Sequence, residues 1–316
     1  MPSSLVPLGT DPAAARRFSR RALEVRAGEG REPNDWAAEF ERRLDAGTVD
    51  GRLWAPHGSV DGLASWSPGG PLGVAVHLLY SAAEGRRPAA YADLLAAVEA
   101  EAGPLAFVSG PLAGLTAREE DDVMVPLGYR RFGRSEMVLE ASPSPPAHEA
   151  GPGEALRPVE RADLPALAVL HRSAYHGRFD RWLFMEDPDE AQDAHRGVAE
   201  ILDGRWGEFE PAGSWLLQRD GRPVGAVLSV RTPAGTLIAD VAVEPELQGA
   251  GVGRRVLGRA IDALRAERGG RIYLNVTEGN ERALRLYRRL GFARSLGPTR
   301  DWYNARRFGE AARPDG

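Results

Sequence analysis

The sequence predicts an α/β (α+β) chain of two consecutive domains, each a sheet flanked by helices. Three observations carry this. The chain has 316 residues, enough for two ordinary domains that each bury a core of their own. A stretch dense in Pro, Ser and Gly, from Ala141 to Gly153, carries no periodicity and reads as the body of a linker over 141–155. On either side of it, short apolar runs alternate with segments of helical spacing, in the same order in both halves. The expected domains are therefore 1–140 and 156–316.

The first half opens with helical segments around Pro12–Ala27 and Asp35–Ala46. Strand-like runs follow near Gly51–Pro56, Val60–Ser67 and Leu72–Tyr80, then a helix near Ala89–Glu101 and a strand at Leu105–Ser109. A helix from about Thr116 leads to Gly128-Tyr129, and Ser135–Glu140 is expected as the last strand of this domain. The second half starts with a short strand at Leu156–Val159 and a helix through Leu167, Leu170 and Tyr175. A polar region from Glu186 to Trp206 precedes strands expected at Ser214–Arg219, Val224–Arg231 and Thr236–Val243, joined by the turn signals Asp220-Gly221 and Pro233-Ala234-Gly235. A helix then places Val252, Val256, Leu257, Ala260, Ile261 and Leu264 on one face, with Arg254, Arg255, Arg259, Asp262 and Arg265 opposite. The strand Ile272–Val276 leads into a helix over Glu281–Leu290 that stops at Gly291-Phe292.

Composition narrows the classes of function. With 43% apolar and 27% charged residues the chain reads as a globular protein, and a net charge of −5 gives no reason to expect nucleic acid as a partner. All 40 basic residues are arginine. Without cysteine there is no disulfide, no thiolate metal site and no acyl-cysteine intermediate. No run approaches the roughly 20 apolar residues of a membrane span, and the amino terminus lacks the pattern of a signal peptide, so the expectation is a cytoplasmic protein with no membrane partner. His171 and His176 are five residues apart and do not share a helix face, so no metal site is expected.

The most informative stretch is Val241-Ala242-Val243-Glu244-Pro245-Glu246-Leu247-Gln248-Gly249-Ala250-Gly251-Val252-Gly253-Arg254-Arg255. It passes from an apolar strand through a glycine-rich turn into a helix. Three glycines at alternate positions let backbone N–H groups converge on one point, and the helix adds its unpaired N-terminal donors, so the stretch reads as a cradle for a phosphate or pyrophosphate. A Walker loop requires lysine, which the chain lacks. A dinucleotide fingerprint requires a third glycine where this chain has Arg254 or Val256.

What remains is Q-x-x-G-x-G, carried by Gln248, Gly251 and Gly253. Downstream, Asn280 precedes a helix that bears Tyr287 and ends in Gly291-Phe292. With both motifs in this order, the sequence resembles the GNAT superfamily of acyl-CoA-dependent N-acyltransferases, specifically over residues 238–292 and loosely over 156–308. The resemblance implies a mixed, mostly antiparallel twisted sheet in each half, hence two tandem GNAT-like domains. The first copy is degenerate: where the second has its glycine loop, the first has Ala83-Glu84-Gly85-Arg86-Arg87-Pro88-Ala89, and Met124 stands in the place of Tyr287.

The resemblance also implies roles. Residues Gln248, Gly249, Ala250, Gly251, Val252, Gly253 and Arg254 would hold the pyrophosphate of acetyl-CoA. The backbone of Val241, Ala242 and Val243 would meet its pantetheine arm, with an N–H near Val243 polarising the thioester carbonyl. Asn280 would cap its helix and touch the cofactor, and Tyr287 would protonate the departing thiolate. The proton acceptor stays open among Asp240, Glu278, Glu186, Asp187 and a water chain, because Asn275 stands where some relatives carry glutamate. The acidic run from Glu186 to Glu190 suits a cationic acceptor or a solvated face. The implied activity is transfer of acetyl from acetyl-CoA to a primary amine of a small molecule or peptide. The alternatives are a non-catalytic acyl-CoA-binding sensor or scaffold and, among enzymes, an acetyltransferase similar to mycothiol synthase. Nothing in the sequence sets the acyl chain length or the oligomeric state.

Overall fold

The computed structural model describes residues 4–27, 41–47, 49–68, 73–83, 87–139, 151, 153–183, 191–267, 270–295 and 298–308. The expected acidic run at 186–190, most of the expected linker and the first-half loop at 84–86 lie outside the described residues.

In chain order the strands are β1 (Leu5–Pro7), β2 (Gly51–Trp54), β3 (Gly62–Pro68), β4 (Val74–Ser81), β5 (Leu105–Val108), β6 (Tyr129–Phe132), β7 (Arg134–Leu139), β8 (Glu154–Pro158), β9 (Glu208–Phe209), β10 (Trp215–Arg219), β11 (Arg222–Thr232), β12 (Gly235–Val243), β13 (Ile272–Thr277), β14 (Phe292–Arg294) and β15 (Asp301–Asn304). The helices are α1 (Pro12–Ala27), α2 (Arg87–Ala102), α3 (Ala117–Met124), α4 (Leu164–Tyr175), α5 (Asp180–Leu183), α6 (Ala191–Leu202), α7 (Val252–Glu267), α8 (Glu281–Arg289) and α9 (Ala305–Phe308).

They form two compact units. The first comprises Met1–Arg134 with Gly297–Ala312, and the second Ser135–Leu296 with Arg313–Gly316. The first sheet runs β1-β2-β3-β4-β5-β15-β6, and the second runs β14-β7-β13-β12-β11-β10-β8, with β9 on β11. Each sheet thus takes one strand from the far side of the chain. The sequence reading placed residues 135–140 as the last strand of the first domain, whereas β7 lies between β14 and β13 in the second sheet. It missed β15, whose Trp302 and Tyr303 pair with Val108 and Phe107 of β5 in the first. The chain divides by strand exchange at these two places, in contrast to the sequential cut at 141–155 that composition suggested.

In the first unit α1 covers one face of the sheet through Ala14, Ala15, Phe18 and Ala22, which pack on Leu53, Leu63 and Leu78. Tyr91, Leu94, Leu95 and Val98 of α2 cover the other with Val123 and Met124 of α3. Thr116 begins α3 with a capping box to Glu119, which satisfies two otherwise orphaned amides.

In the second unit, Val252, Val256, Leu257, Ala260, Ile261 and Leu264 of α7 pack on Leu217, Val227 and Ile238, as the helical spacing predicts. Leu167, Leu170 and Ala174 of α4 cover the opposite face with Val198 and Ile201 of α6. Gly225 permits the close seating of α7, because a Cβ there would stand 2.4 Å from a methyl of Val252. The β11–β12 ladder contains a bulge. Leu228 pairs with Asp240 and Ser229 with Ile238, which leaves Ala239 as the extra residue. The strict alternation of a strand resets there: Ile238, Val241 and Val243 face α7, while Asp240 and Ala242 face α4.

Candidate functional site

The site is built where β12 and β13 part. These strands pair in parallel only at Thr236–Ile272 and Leu237–Tyr273, just before the bulge, so the later part of β12 is splayed from β13. On the β11 side the N–H of Glu244 donates to the carbonyl of Val224 at 3.0 Å. With a period of two, the N–H of Ala242 faces the same way and those of Val241 and Val243 face the splay. This is the polar strand edge that the resemblance implied.

At the end of β12 the chain turns through Pro245–Leu247 into the glycine loop. Gly249 and Gly251 have φ of 90° and 84°, values that a residue with a Cβ adopts only under strain. A Cβ on Gly251 would meet no atom within 4 Å, so this position opens onto empty space in front of the helix. A Cβ on Gly253 would press Leu286 at 3.3 Å and Val243 at 3.4 Å, so this glycine lets α7 begin close to β12 and α8. The first intrahelical bond runs from Arg255 N–H to the carbonyl of Gly251, which leaves the amides of Val252, Gly253 and Arg254 aimed out of the helix end. The amides of Gln248 and Ala250 instead turn inward, to the carbonyls of Pro245 and Leu247. These residues shape the cradle, whose donors come from the glycines and the helix start. A CoA pyrophosphate fits these features: open space, convergent amides and the positive end of a 16-residue helix.

Gln248 acts through its side chain. Its Nε2 donates to the carbonyl of Val243 at 2.9 Å, and its Oε1 accepts from Arg178 at 2.8 Å and from Arg282. It thus ties strand, loop and two cations together. Burial lowers the pKa of Arg282 from its ordinary value, with the neighbouring charges of Arg178 and Arg285 acting in the same direction.

Asn280 caps α8, its Oδ1 accepting from Ala283 N–H at 3.2 Å. Its Nδ2 donates to Asp180 Oδ2 at 2.8 Å, while Thr277 Oγ1 donates to Asp180 Oδ1. Three consecutive residues after α4 therefore bridge the two sides of the site. Arg178 reaches the glycine loop, Phe179 is buried, and Asp180 reaches the end of β13 and the start of α8.

Tyr287 lies on α8 among the core residues of the second unit, 9% exposed, with its ring edge against Phe292 at 6.0 Å. The hydroxyl of Tyr175 donates to Asp240 Oδ1 at 2.7 Å, and His171 Nδ1 lies 3.1 Å from Asp240 Oδ2. Burial raises the pKa of the Tyr175 phenol well above its ordinary value, reinforced by the charges of Asp240, Tyr287 and Asp180. The Asp240 side chain is only 3% exposed and both its oxygens are engaged. Glu278, another carboxylate considered from sequence, is held by Ser135 and Arg294.

Sequence reasoning singles out the loop, Asn280 and Tyr287. It gave no role to His171, Tyr175, Arg178 or Asp180. The one available signal was the position of His171 and Tyr175 four apart on a helix face, which reads equally as plain core.

Residues 177–292 match the acetyltransferase (GNAT) family. A mycothiol acetyltransferase of Thermomonospora curvata is 34% identical over 149 residues, covering 44% of this chain and 50% of that protein. The match thus spans about half the length of that curated relative. Among solved structures, a GCN5-related N-acetyltransferase from Sphaerobacter thermophilus superposes with a TM-score of 0.64 at 19% identity, covering 96% of this chain and 95% of that one. A tandem GNAT protein from the clavulanic acid biosynthesis pathway superposes with a TM-score of 0.58 at 15% identity, covering 94% and 96%. The second unit thus carries the match to the GNAT acetyltransferase family, and the chain as a whole shares the two-sheet fold of the tandem GNAT protein.

Proposed function

We propose that the second unit transfers an acetyl group from acetyl-CoA directly to a primary amine of a small molecule or peptide. The observation that carries this reading is the splay of β12 from β13, with the glycine loop after β12 and Tyr287 in the same apolar cluster as Val241 and Val243. Acetyl-CoA supplies the activated acyl group as a thioester. The amides of Gly251, Val252, Gly253 and Arg254 hold the pyrophosphate. The N–H groups of Val241 and Val243 fix the pantetheine arm, and the one at Val243 donates to the carbonyl oxygen as it gains negative charge. The amine nitrogen forms the new C–N bond and passes its surplus proton to a water chain, the C–S bond breaks, and the Tyr287 hydroxyl gives its proton to the departing sulfur and regains one from that water.

Asp240 serves here as a buried anchor that orients Tyr175 and His171. In the first unit α2 opens with Arg87-Pro88, and proline has no amide to donate, so we assign one acetyl-CoA site per chain. The test is calorimetry with acetyl-CoA, coupled to thiol release against a panel of primary amines. One site and amine-dependent thiol release support the reading. Tight binding with no release for any acceptor would favour an acyl-CoA sensor, and no binding at all would overturn both.

A further inference from the structure

Among the described residues, several carboxylates of the second unit are paired with a cation, and Asp180, beside the proposed site, is not. Glu136 pairs with Arg271, Glu154 with Arg219 and Arg255, Asp163 with Arg157, and Glu278 with Arg294. Asp240 has His171. Asp180 is half-buried, and among the described residues it has no ion pair, although Arg178 is two residues away and is directed to Gln248. Its protein contacts are neutral donors, the hydroxyl of Thr277 on Oδ1 and the amide of Asn280 on Oδ2. These fix the orientation of the carboxylate and leave each oxygen a further acceptor site. The result is a preorganised carboxylate without an ion pair at the end of β13, beside the cap of the helix that carries Tyr287.

We infer that Asp180 is the acceptor-recognition residue: its carboxylate receives the ammonium form of the substrate amine, which gives one proton to water before its nitrogen attacks, so the acceptor is a cationic alkylamine and the counter-charge arrives with it. This inference rests on the acetyl-transfer reading and narrows its acceptor. A cation is the partner that the arrangement can take, since Thr277 and Asn280 hold the carboxylate in place and leave each oxygen able to accept again.

The experiment compares primary alkylamines with hydroxylamine, a nucleophile that is uncharged at neutral pH, in wild type and in Asp180→Asn. The expected result is a loss of about 20-fold or more in kcat/KM for alkylamines, carried by KM, with hydroxylamine within about threefold. In wild type, the trimethylated form of the best alkylamine should compete with hydroxylamine. Equal loss for charged and uncharged nucleophiles in Asp180→Asn would make Asp180 a structural tie and overturn the inference. If that variant does not fold, failure of the trimethylated cation to compete overturns it instead. A wild-type chain that acetylates hydroxylamine but no alkylamine overturns the inference alone. A chain that releases no thiol with any nucleophile overturns the acetyl-transfer reading and this inference with it.

Discussion

Replacing Gly251 with aspartate or asparagine separates charge from shape in the proposed cradle. Both side chains tolerate positive φ better than most, both are nearly the same size, and the space beyond the Cα is open, with nothing within 4 Å of a Cβ. The backbone at φ 84° adds a similar strain to each variant, about 1 kcal/mol, so their melting temperatures should agree closely. Only the aspartate carries charge. A carboxylate about 5 Å from one phosphate charge is repelled by about 1 kcal/mol at the dielectric of water and about 3 kcal/mol at an effective value of 20. The expected gap in acetyl-CoA affinity between the two variants is therefore about 5- to 150-fold, in favour of asparagine. Calorimetry at low ionic strength measures it, and the gap should shrink as salt screens the pair. Equal affinity of the two variants, both close to wild type, would refute the idea that an anion sits in front of α7.

Tyr287→Phe should lower turnover at least about tenfold while acetyl-CoA affinity stays within about threefold, because the ring contact with Phe292 survives and only a transition-state donor is lost; steady-state rates and calorimetry read the two effects separately. Asp240→Ala should destabilise the chain by about 3 kcal/mol in urea titration, since it strands His171 and the Tyr175 hydroxyl in a buried site. Hydrogen bonds from Arg255 and Arg219 hold the Glu154 carboxyl at about 2 in the folded chain, against an ordinary value near 4.3 when unfolded. The depressed folded value means that the stability it contributes is present above about pH 4.3 and is lost as pH falls toward 2, so Glu154→Gln should be less stable than wild type at pH 7 and flatten the acid limb of the melting curve over that window.

The parts of the site that read directly from sequence are those whose chemistry is local. The glycine loop, the cap at Asn280 and the apolar face of α7 each depend on residues within one or two turns of each other, and the structure has the cap and the helix face as expected. The bulge at Ala239 did not read, because an extra residue exists only relative to a partner strand, and nothing in Gly235–Val243 marks which residue β11 will skip. The bridge from Arg178 to Asp180 did not read either, since its partners Gln248, Thr277 and Asn280 lie 70 to 100 residues away. Arg134–Leu139 reads clearly as a strand, yet a short strand with two usable edges carries no label for the sheet it will join.

The exchange of β7 and β15 sets the order in which the chain can be finished. Because β15 lies between β5 and β6, the first sheet stays divided until the last part of the described chain has been synthesised. At about 5–20 residues per second, the ribosome adds the stretch between β7 and β15 in roughly 10–30 s, during which β5 and β6 each present an unpaired edge. The amino-terminal unit is therefore begun first and completed last, and β7 must wait for β13 before it has a sheet of its own. Release of the nascent chain before residue 304 would leave both interior edges open at once, and cutting between β7 and β8 to obtain the second unit alone would strip β14 of the strand with which it pairs.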